Sequence, residues 1–139
     1  MKIVIIEDEF FAARRLENML KECDSAVEVL VKLESARDSI DWFKSNKQPD
    51  LIFLDIHLDD DLSFSIFKEV SIFCPIVFTT ATDELATQAF VLKNIDFLHK
   101  PIVKEELSAM LEKYNRAEIM AKPINPHIFD DIINSKSNS

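Results

Sequence analysis

Four short apolar runs in this sequence each end in a side chain that could take part in chemistry. Two runs end in acids, one ends in a hydroxyl and one ends in a lysine. The side chains concerned are Glu7, Asp8, Asp55, Thr80 and Lys100. Short apolar runs are typical of strands that are buried on both faces of a parallel sheet. Because open α/β sheets bind ligands at the carboxyl ends of their strands, these side chains are predicted to form one site.

Three of these side chains are carboxylates, which repel one another unless a cation or protons neutralise them. Hard oxygen ligands with positions left open for water suit Mg²⁺. Asp8 and Asp55 are predicted to bind the metal directly and Glu7 through water, with a loop carbonyl completing the protein ligands. With its charge shielded, Asp55 could attack phosphorus and become an aspartyl phosphate. Lys100 and the Thr80 hydroxyl would stabilise the charge on the transferred group.

An alternation of strand-like and helix-like segments must position these residues. Strands are predicted at 2–6, 27–33, 50–54, 75–79 and 95–99, and each is followed by apolar residues at helical spacing. Such units imply a parallel sheet with helices on both faces, connected by right-handed crossovers. We therefore predict an α/β fold, a flavodoxin-like doubly wound five-stranded parallel sheet of strand order 2-1-3-4-5. Its switch point would lie between strands 1 and 3, which carry the acids.

Local signals add detail to this alternation. Ser35 is positioned to cap the second helix, and Asp8 or Glu9 could cap the first helix rather than serve a site. The 139 residues include no glycine, so Asn and Asp must serve at turns that need a positive φ.

The composition excludes several classes of protein. A hydrophobic content of 47% argues against disorder, and a net charge of −9 argues against a nucleic-acid surface on this stretch. That charge is compatible with a divalent cation or a basic partner. No apolar run approaches the ~20 residues that span a bilayer, and no leader precedes Lys2, so we expect a cytoplasmic protein without a membrane partner. Cys23 and Cys74 are isolated and are expected to be reduced thiols.

The alternation stops after about residue 116. We predict a first domain over 1–116 and a linker over 117–139, with a short amphipathic helix near 126–134. Pro126 stands at the start of that helix, where proline is favoured. This helix either packs on the core of the first domain or serves as a linker that contacts another subunit or domain.

Four segments of the sequence together resemble the receiver domain of two-component response regulators. They are Ile3-Val4-Ile5-Ile6-Glu7-Asp8-Glu9, Leu54-Asp55-Ile56, Phe78-Thr79-Thr80-Ala81 and Phe97-Leu98-His99-Lys100-Pro101. The match covers roughly residues 1–115. Two of these segments, in extended form, are most similar to receivers that precede a LytTR-type DNA-binding domain. They are the third segment with Thr82-Asp83-Glu84 added after it and the fourth with Ile95-Asp96 added before it.

The resemblance implies a role for each residue of the site. Asp55 would be the phosphoacceptor, and the bound metal would be Mg²⁺ or Mn²⁺. The implied metal ligands are Glu7, Asp8, Asp55 and the backbone carbonyl of His57. Thr80 would be the switch hydroxyl and Lys100 the catalytic lysine, followed by a cis bond to Pro101. Phe97 would be the switch aromatic, with a plain core aromatic as the equal alternative.

The implied function is a phosphorylation-controlled switch rather than a turnover enzyme. A sensor histidine kinase would phosphorylate Asp55, and the protein would catalyse its own phosphorylation and dephosphorylation. The surface of the fourth helix, fifth strand and fifth helix would then rearrange, and would form a homodimer or release an effector. DNA would be bound only through a LytTR-type effector that controls transcription and is absent from this chain. We expect a fragment cut at the linker in preference to a stand-alone receiver.

One loop departs from the pattern of the family. Asp59, Asp60 and Asp61 stand where proline or glycine is usual, and the loop is expected to be ordered but strained. Asp61 or Ser63 is expected to cap the next helix. The added negative charge would either tighten metal binding or slow the approach of a phosphodonor.

Two alternative functions use the same residues. A Mg²⁺-dependent phosphohydrolase would need a second acid two residues after its nucleophile, but position 57 is histidine. A degenerate receiver that serves only to bind proteins is disfavoured because every motif position is filled.

Overall fold

The apolar runs of the sequence form the strands of one parallel sheet. The computed structural model describes residues 1–61, 63–81 and 95–116. The strands are β1 (Lys2–Ile6), β2 (Glu28–Leu33), β3 (Leu51–Asp55), β4 (Ile76–Thr80) and β5 (Phe97–His99). Their order, β2-β1-β3-β4-β5, confirms the predicted topology. From β2 onward, each strand begins one or two residues later than predicted.

The helices follow the strands as expected. They are α1 (Phe10–Cys23), α2 (Ala36–Ser45), a 3₁₀ turn (Ser63–Ser65), α3 (Ile66–Glu69) and α4 (Lys104–Arg116). The third helix is shorter than predicted, because Val70 takes an extended conformation and ends it. The fourth predicted helix and the segment 117–139 lie outside the described residues, so α4 corresponds to the fifth predicted helix. None of the helices in the described ranges combines the length and apolar character needed to cross a lipid bilayer.

Side chains cap the first two helices at the edge of the sheet where the acids lie. The Glu9 carboxylate accepts hydrogen bonds from the backbone N–H groups of Phe11 (3.1 Å) and Ala12 (2.6 Å). Glu9 therefore caps α1, and Asp8 is left for the site. Ser35 caps α2 as predicted, since its hydroxyl accepts a bond from the Asp38 N–H at 3.0 Å.

Two apolar cores, one on each face of the sheet, fix where the strands end. The core under α1 and α4 includes Ile3, Ile5, Leu51, Phe53, Val77 and Leu107. The core under α2 and α3 includes Val4, Ile6, Ile52, Leu54, Phe64 and Phe67. A slip of one residue would exchange every side chain between these cores, so the register is strongly specified. Ile6 pairs with Leu54, and Glu7 and Asp55 therefore emerge side by side.

Replacement of a core phenylalanine should reveal how much the sheet depends on this packing. Phe53 is 1% exposed in the centre of β3, whereas Phe11 is 71% exposed on α1. Phe53→Ala should lower the free energy of unfolding by about 3–5 kcal/mol through lost burial and a residual cavity. Phe11→Ala, the same change at the surface, should alter it by less than about 0.5 kcal/mol. Urea unfolding monitored by circular dichroism measures both, and equal losses would contradict the assignment of the core.

Candidate functional site

One ammonium group joins two carboxylates at the carboxyl edge of the sheet. Lys100 Nζ lies 2.9 Å from Asp55 Oδ2 and donates a second, short hydrogen bond to Glu7 Oε1. Both acids are buried, with 5% of Glu7 and 6% of Asp55 exposed. The Lys100 backbone N–H donates to the Thr80 carbonyl at 2.8 Å, which continues the β4–β5 pairing. The bond between Lys100 and Pro101 is cis, as predicted.

A third carboxylate completes an acidic pocket. Glu7, Asp8 and Asp55 each offer an oxygen atom, and these three atoms all lie within 4.8 Å of one another. Asp8 is half-buried, while the other two are buried. Oxygen donors at this spacing, with one side open to solvent, fit a hard divalent cation such as Mg²⁺. The structure therefore brings together the predicted acids and Lys100.

Burial and mutual contact shift the ionisation of this pocket. Burial raises the pKa of Glu7, a hydrogen bond with Asp55 raises it further, and Lys100 only partly offsets these effects. Burial alone would lower the pKa of Lys100, but its bonds to Glu7 and Asp55 outweigh burial and raise it. Lys100 therefore stays protonated at neutral pH. One ammonium group faces three acids, so the pocket favours an additional cation.

The backbone after β3 orients the central aspartate. The His57 N–H donates to Asp55 Oδ1 at 3.2 Å, while Lys100 contacts Oδ2. The Ile56 N–H donates to the Thr79 carbonyl at 3.1 Å, so the strand pairing continues one residue beyond β3. The His57 side chain is exposed.

The two predicted switch residues lie on neighbouring strands: Thr80 ends β4 at the carboxyl edge of the sheet, whereas Phe97 begins β5. Thr80 is fully buried, and its hydroxyl donates to the Ala81 carbonyl at 2.6 Å. Phe97 is half-buried in β5, and its ring packs edge-on against His99 with 5.2 Å between centroids.

The acidic loop differs from its prediction. Ser65 precedes α3 and makes no side-chain capping bond, and the Ser63 hydroxyl is buried with no hydrogen-bond partner among residues 1–61, 63–81 and 95–116. The expectation that Ser63 caps the next helix is therefore wrong, because Ser63 is the first residue of the 3₁₀ turn. Asp60 instead caps α2, accepting bonds from the N–H groups of Ala36 (2.9 Å) and Arg37 (3.1 Å).

The bonds to Asp60 also change its ionisation. The Ala36 N–H, followed by that of Arg37, lowers the pKa of Asp60. The nearby Asp8 carboxyl group raises the pKa of Asp59, the neighbour of Asp60. No local signal could have revealed the Asp60 cap, because its partners lie 24 and 23 residues earlier in the chain.

Comparison with known proteins identifies the family. A family model described as the response regulator receiver domain matches residues 3–112. The chain belongs to this family. The crystal structure of the response regulatory domain of protein mrkE from Klebsiella pneumoniae superposes with a TM-score of 0.69 at 30% identity, covering 83% of this chain and 95% of that one. The parallel sheet and its order are thus those of a receiver domain.

The curated relatives of this receiver are longer proteins. The sensory transduction protein LytT of Bacillus anthracis is 34% identical over 119 residues, covering 84% of this chain and 48% of LytT. The transcriptional regulatory protein YpdB of Escherichia coli K12 is 33% identical over 120 residues, covering 84% of this chain and 48% of YpdB. The chain therefore spans about half the length of these relatives.

The raised pKa of Glu7 predicts a pH-dependent gain of stability in Glu7→Gln. The pKa of Glu7 is higher in the folded protein than the value of 4.5 expected in the unfolded chain. The folded protein therefore loses stability as the pH rises from 4.5 through the folded-state pKa, because Glu7 must then ionise in the pocket. Glutamine avoids that cost. In EDTA, Glu7→Gln should therefore be more stable than the parent protein at pH 7, and its advantage should shrink towards pH 4.

Glu17 provides a matched control of opposite sign. Lys32 lowers the pKa of Glu17 through a hydrogen bond of 2.8 Å, so ionised Glu17 contributes stability that is lost as the pH falls. Glu17→Gln should thus be slightly less stable at pH 7, with the difference shrinking towards pH 4. Urea midpoints at several pH values measure both variants. A Glu7→Gln protein that is destabilised at pH 7 would contradict the electrostatic description of the pocket.

Proposed function

We propose that this receiver domain is a phosphate-accepting switch in which Asp55 carries the phosphoryl group. The observation that supports this most directly is the 2.9 Å contact between Lys100 Nζ and Asp55 Oδ2 inside a buried pocket of three acids. A buried carboxylate beside a fixed ammonium group can act as a nucleophile without a separate base. The phosphodonor is a phosphohistidine on a sensor histidine kinase, in keeping with the family.

The donor set supports a divalent metal. Glu7, Asp8 and Asp55 would hold Mg²⁺ or Mn²⁺, together with the backbone carbonyl of His57. The closeness of their oxygen atoms, and the excess of acids over ammonium groups, favour a hard cation. Bound Mg²⁺ would supply positive charge that shields Asp55 and stabilises the outer oxygens of the phosphoryl group.

The transfer step follows from the residues of the pocket. A carboxylate oxygen of Asp55 attacks phosphorus and forms the O–P bond, while the N–P bond of phosphohistidine breaks and its electron pair stays on the imidazole. The bond from the His57 N–H holds the orientation of the attacking carboxylate. Lys100, which already contacts Asp55, donates to the new phosphoryl oxygens. The same residues later support hydrolysis of the aspartyl phosphate.

Thr80 and Phe97 would carry the change to the surface. The Thr80 hydroxyl has one proton, which it donates to the Ala81 carbonyl at 2.6 Å. To donate to a phosphoryl group, the hydroxyl must leave that bond. The movement would alter the end of β4, where Thr80 pairs in register with His99, and so reach β5, which begins at Phe97. The surface of the fourth predicted helix, β5 and α4 would then dimerise or release an effector.

The relatives support a wider role in transcription. LytT and YpdB are named as a sensory transduction protein and a transcriptional regulatory protein, and each is about twice as long as the matched region. We propose that residues 1–116 form the receiver, and that residues 117–139 link it to a LytTR-type DNA-binding domain. The helix near 126–134 and the cytoplasmic location stay predictions.

Labelling with a small phosphodonor tests the proposed phosphoacceptor. With acetyl phosphate and MgCl₂, the protein should gain one phosphoryl group by intact mass, and EDTA should prevent it. Asp55→Asn should gain none, because an amide oxygen is a poor nucleophile. Lys100→Met should react about 100-fold more slowly, since a charged donor to the transition state is lost.

Asp41→Asn is the matched control, because Asp41 is an exposed aspartate on α2. This variant should label at the parent rate. Uptake of label by Asp55→Asn at the parent rate would end the assignment.

The proposed switch makes a separate prediction for Thr80. Thr80→Ala should still accept phosphate, because the nucleophile and the acids are intact, but phosphorylation should no longer change the surface around β5. Hydrogen exchange of residues 95–116, measured with and without acetyl phosphate, should differ in the parent protein and be unchanged in the variant. An identical response in both proteins would remove Thr80 from the switch.

A further inference from the structure

The loop that follows the phosphoacceptor is tied to a helix by one side chain. The two Asp60 oxygens accept bonds from the backbone N–H groups of Ala36 and Arg37, at 2.9 and 3.1 Å. These N–H groups belong to the first turn of α2, which has no intrahelical partners for them. The third free N–H, that of Asp38, is bonded by Ser35. Asp60 thus satisfies two donors of a helix that already has its own cap.

The anchored loop is short and leads directly to the acidic pocket. Its first residues are held to the sheet, because the Ile56 N–H bonds to Thr79 and the His57 N–H bonds to Asp55. Its far side is closed by bonds from the Leu58 N–H to the Asp61 carbonyl at 3.2 Å and from the Ser63 N–H to the Ile56 carbonyl at 2.9 Å. Asp60 adds the attachment to α2 on the outer side.

This attachment bears on the groups that surround a cation. Asp59, the residue before Asp60, has a raised pKa because of the nearby Asp8 carboxyl group, which belongs to the acidic pocket. His57, three residues before Asp60, carries the carbonyl proposed as a ligand. Positions 57 and 59 are not proline, so the backbone there is not restricted by a proline ring. The chain also has no glycine. The side-chain bonds of Asp60 to α2 therefore add a restraint to the backbone bonds that close this loop.

We propose that Asp60 is a positioning residue for the divalent-cation pocket: by capping α2 it holds the loop of residues 56–61 in the conformation that presents the backbone carbonyl of His57 to the metal. This inference rests on the proposed function, because it assumes that the acidic pocket binds Mg²⁺. Asp60 contacts neither the metal nor the phosphoryl group. Its effect passes through the backbone between Asp55 and the 3₁₀ turn.

The test is a titration of the whole chain with MgCl₂, in which the dissociation constant is obtained from the rise in melting temperature. Asp60→Ala should weaken Mg²⁺ binding about fivefold, the change in equilibrium expected from loss of one capping interaction. Asp60→Asn keeps one oxygen acceptor and should weaken binding about twofold. If the carboxylate acted only by its charge, Asn and Ala would weaken binding equally, and that result would overturn the proposal.

Ser35→Ala is the matched structural control. It removes a capping bond of the same kind from the same helix but leaves the acidic loop untouched. It should lower the melting temperature in EDTA, with the Mg²⁺ dissociation constant unchanged. An equal loss of affinity in Ser35→Ala would mean that α2 acts as a whole, and would also overturn the proposal.

Failure of the inference is distinguishable from failure of the proposed function. A parent protein that shows no response to MgCl₂ overturns the metal site and the inference together. A parent protein that responds, with both Asp60 variants binding as tightly as the parent, overturns the inference alone.

Discussion

Mutual repulsion among buried carboxylates is the constraint on which this site depends. Three acids converge at one edge of the sheet, and the Lys100 ammonium bridges two of them. The register of β1 against β3 is held by two apolar cores, so the backbone positions that carry the acids are fixed by the folded sheet. The free energy of packing thereby keeps charges together that would separate in water. A pocket of this kind favours an added cation.

The same edge of the sheet also contains the ends of β4 and β5. Lys100 contacts Asp55 through its side chain and pairs with Thr80 through its backbone. Under the proposed function, a shift of the ammonium group towards a new phosphoryl oxygen would therefore move the end of β4 and the residues that follow β5. Because the strands are parallel, these ends lie side by side at one edge of the sheet, and the distance between them is short.

Hydrogen bonds from backbone N–H groups to side chains stabilise several turns and helix ends of this glycine-free chain. Glu9 caps α1, Ser35 and Asp60 cap α2, and the Gln48 amide oxygen accepts bonds from the N–H groups of Phe73 and Cys74 before β4. Each bond restricts a segment whose backbone would otherwise be free. The three aspartates after β3 are therefore more than added charge, because one of them serves as an anchor.

The sequence by itself determined the strand order, the edge of the sheet that carries the acids and the cap by Ser35, because these follow from local periodicity and chain order. Only the tertiary structure decided that Glu7 is buried against Lys100 while Asp8 stays half-buried. Both acids follow β1, and only the packed sheet determines which of them meets the loop after β5. The tertiary structure also decided that Asp60 caps α2, since that contact joins residues 24 apart in the chain. Such contacts depend on how separate elements pack, which no local pattern encodes.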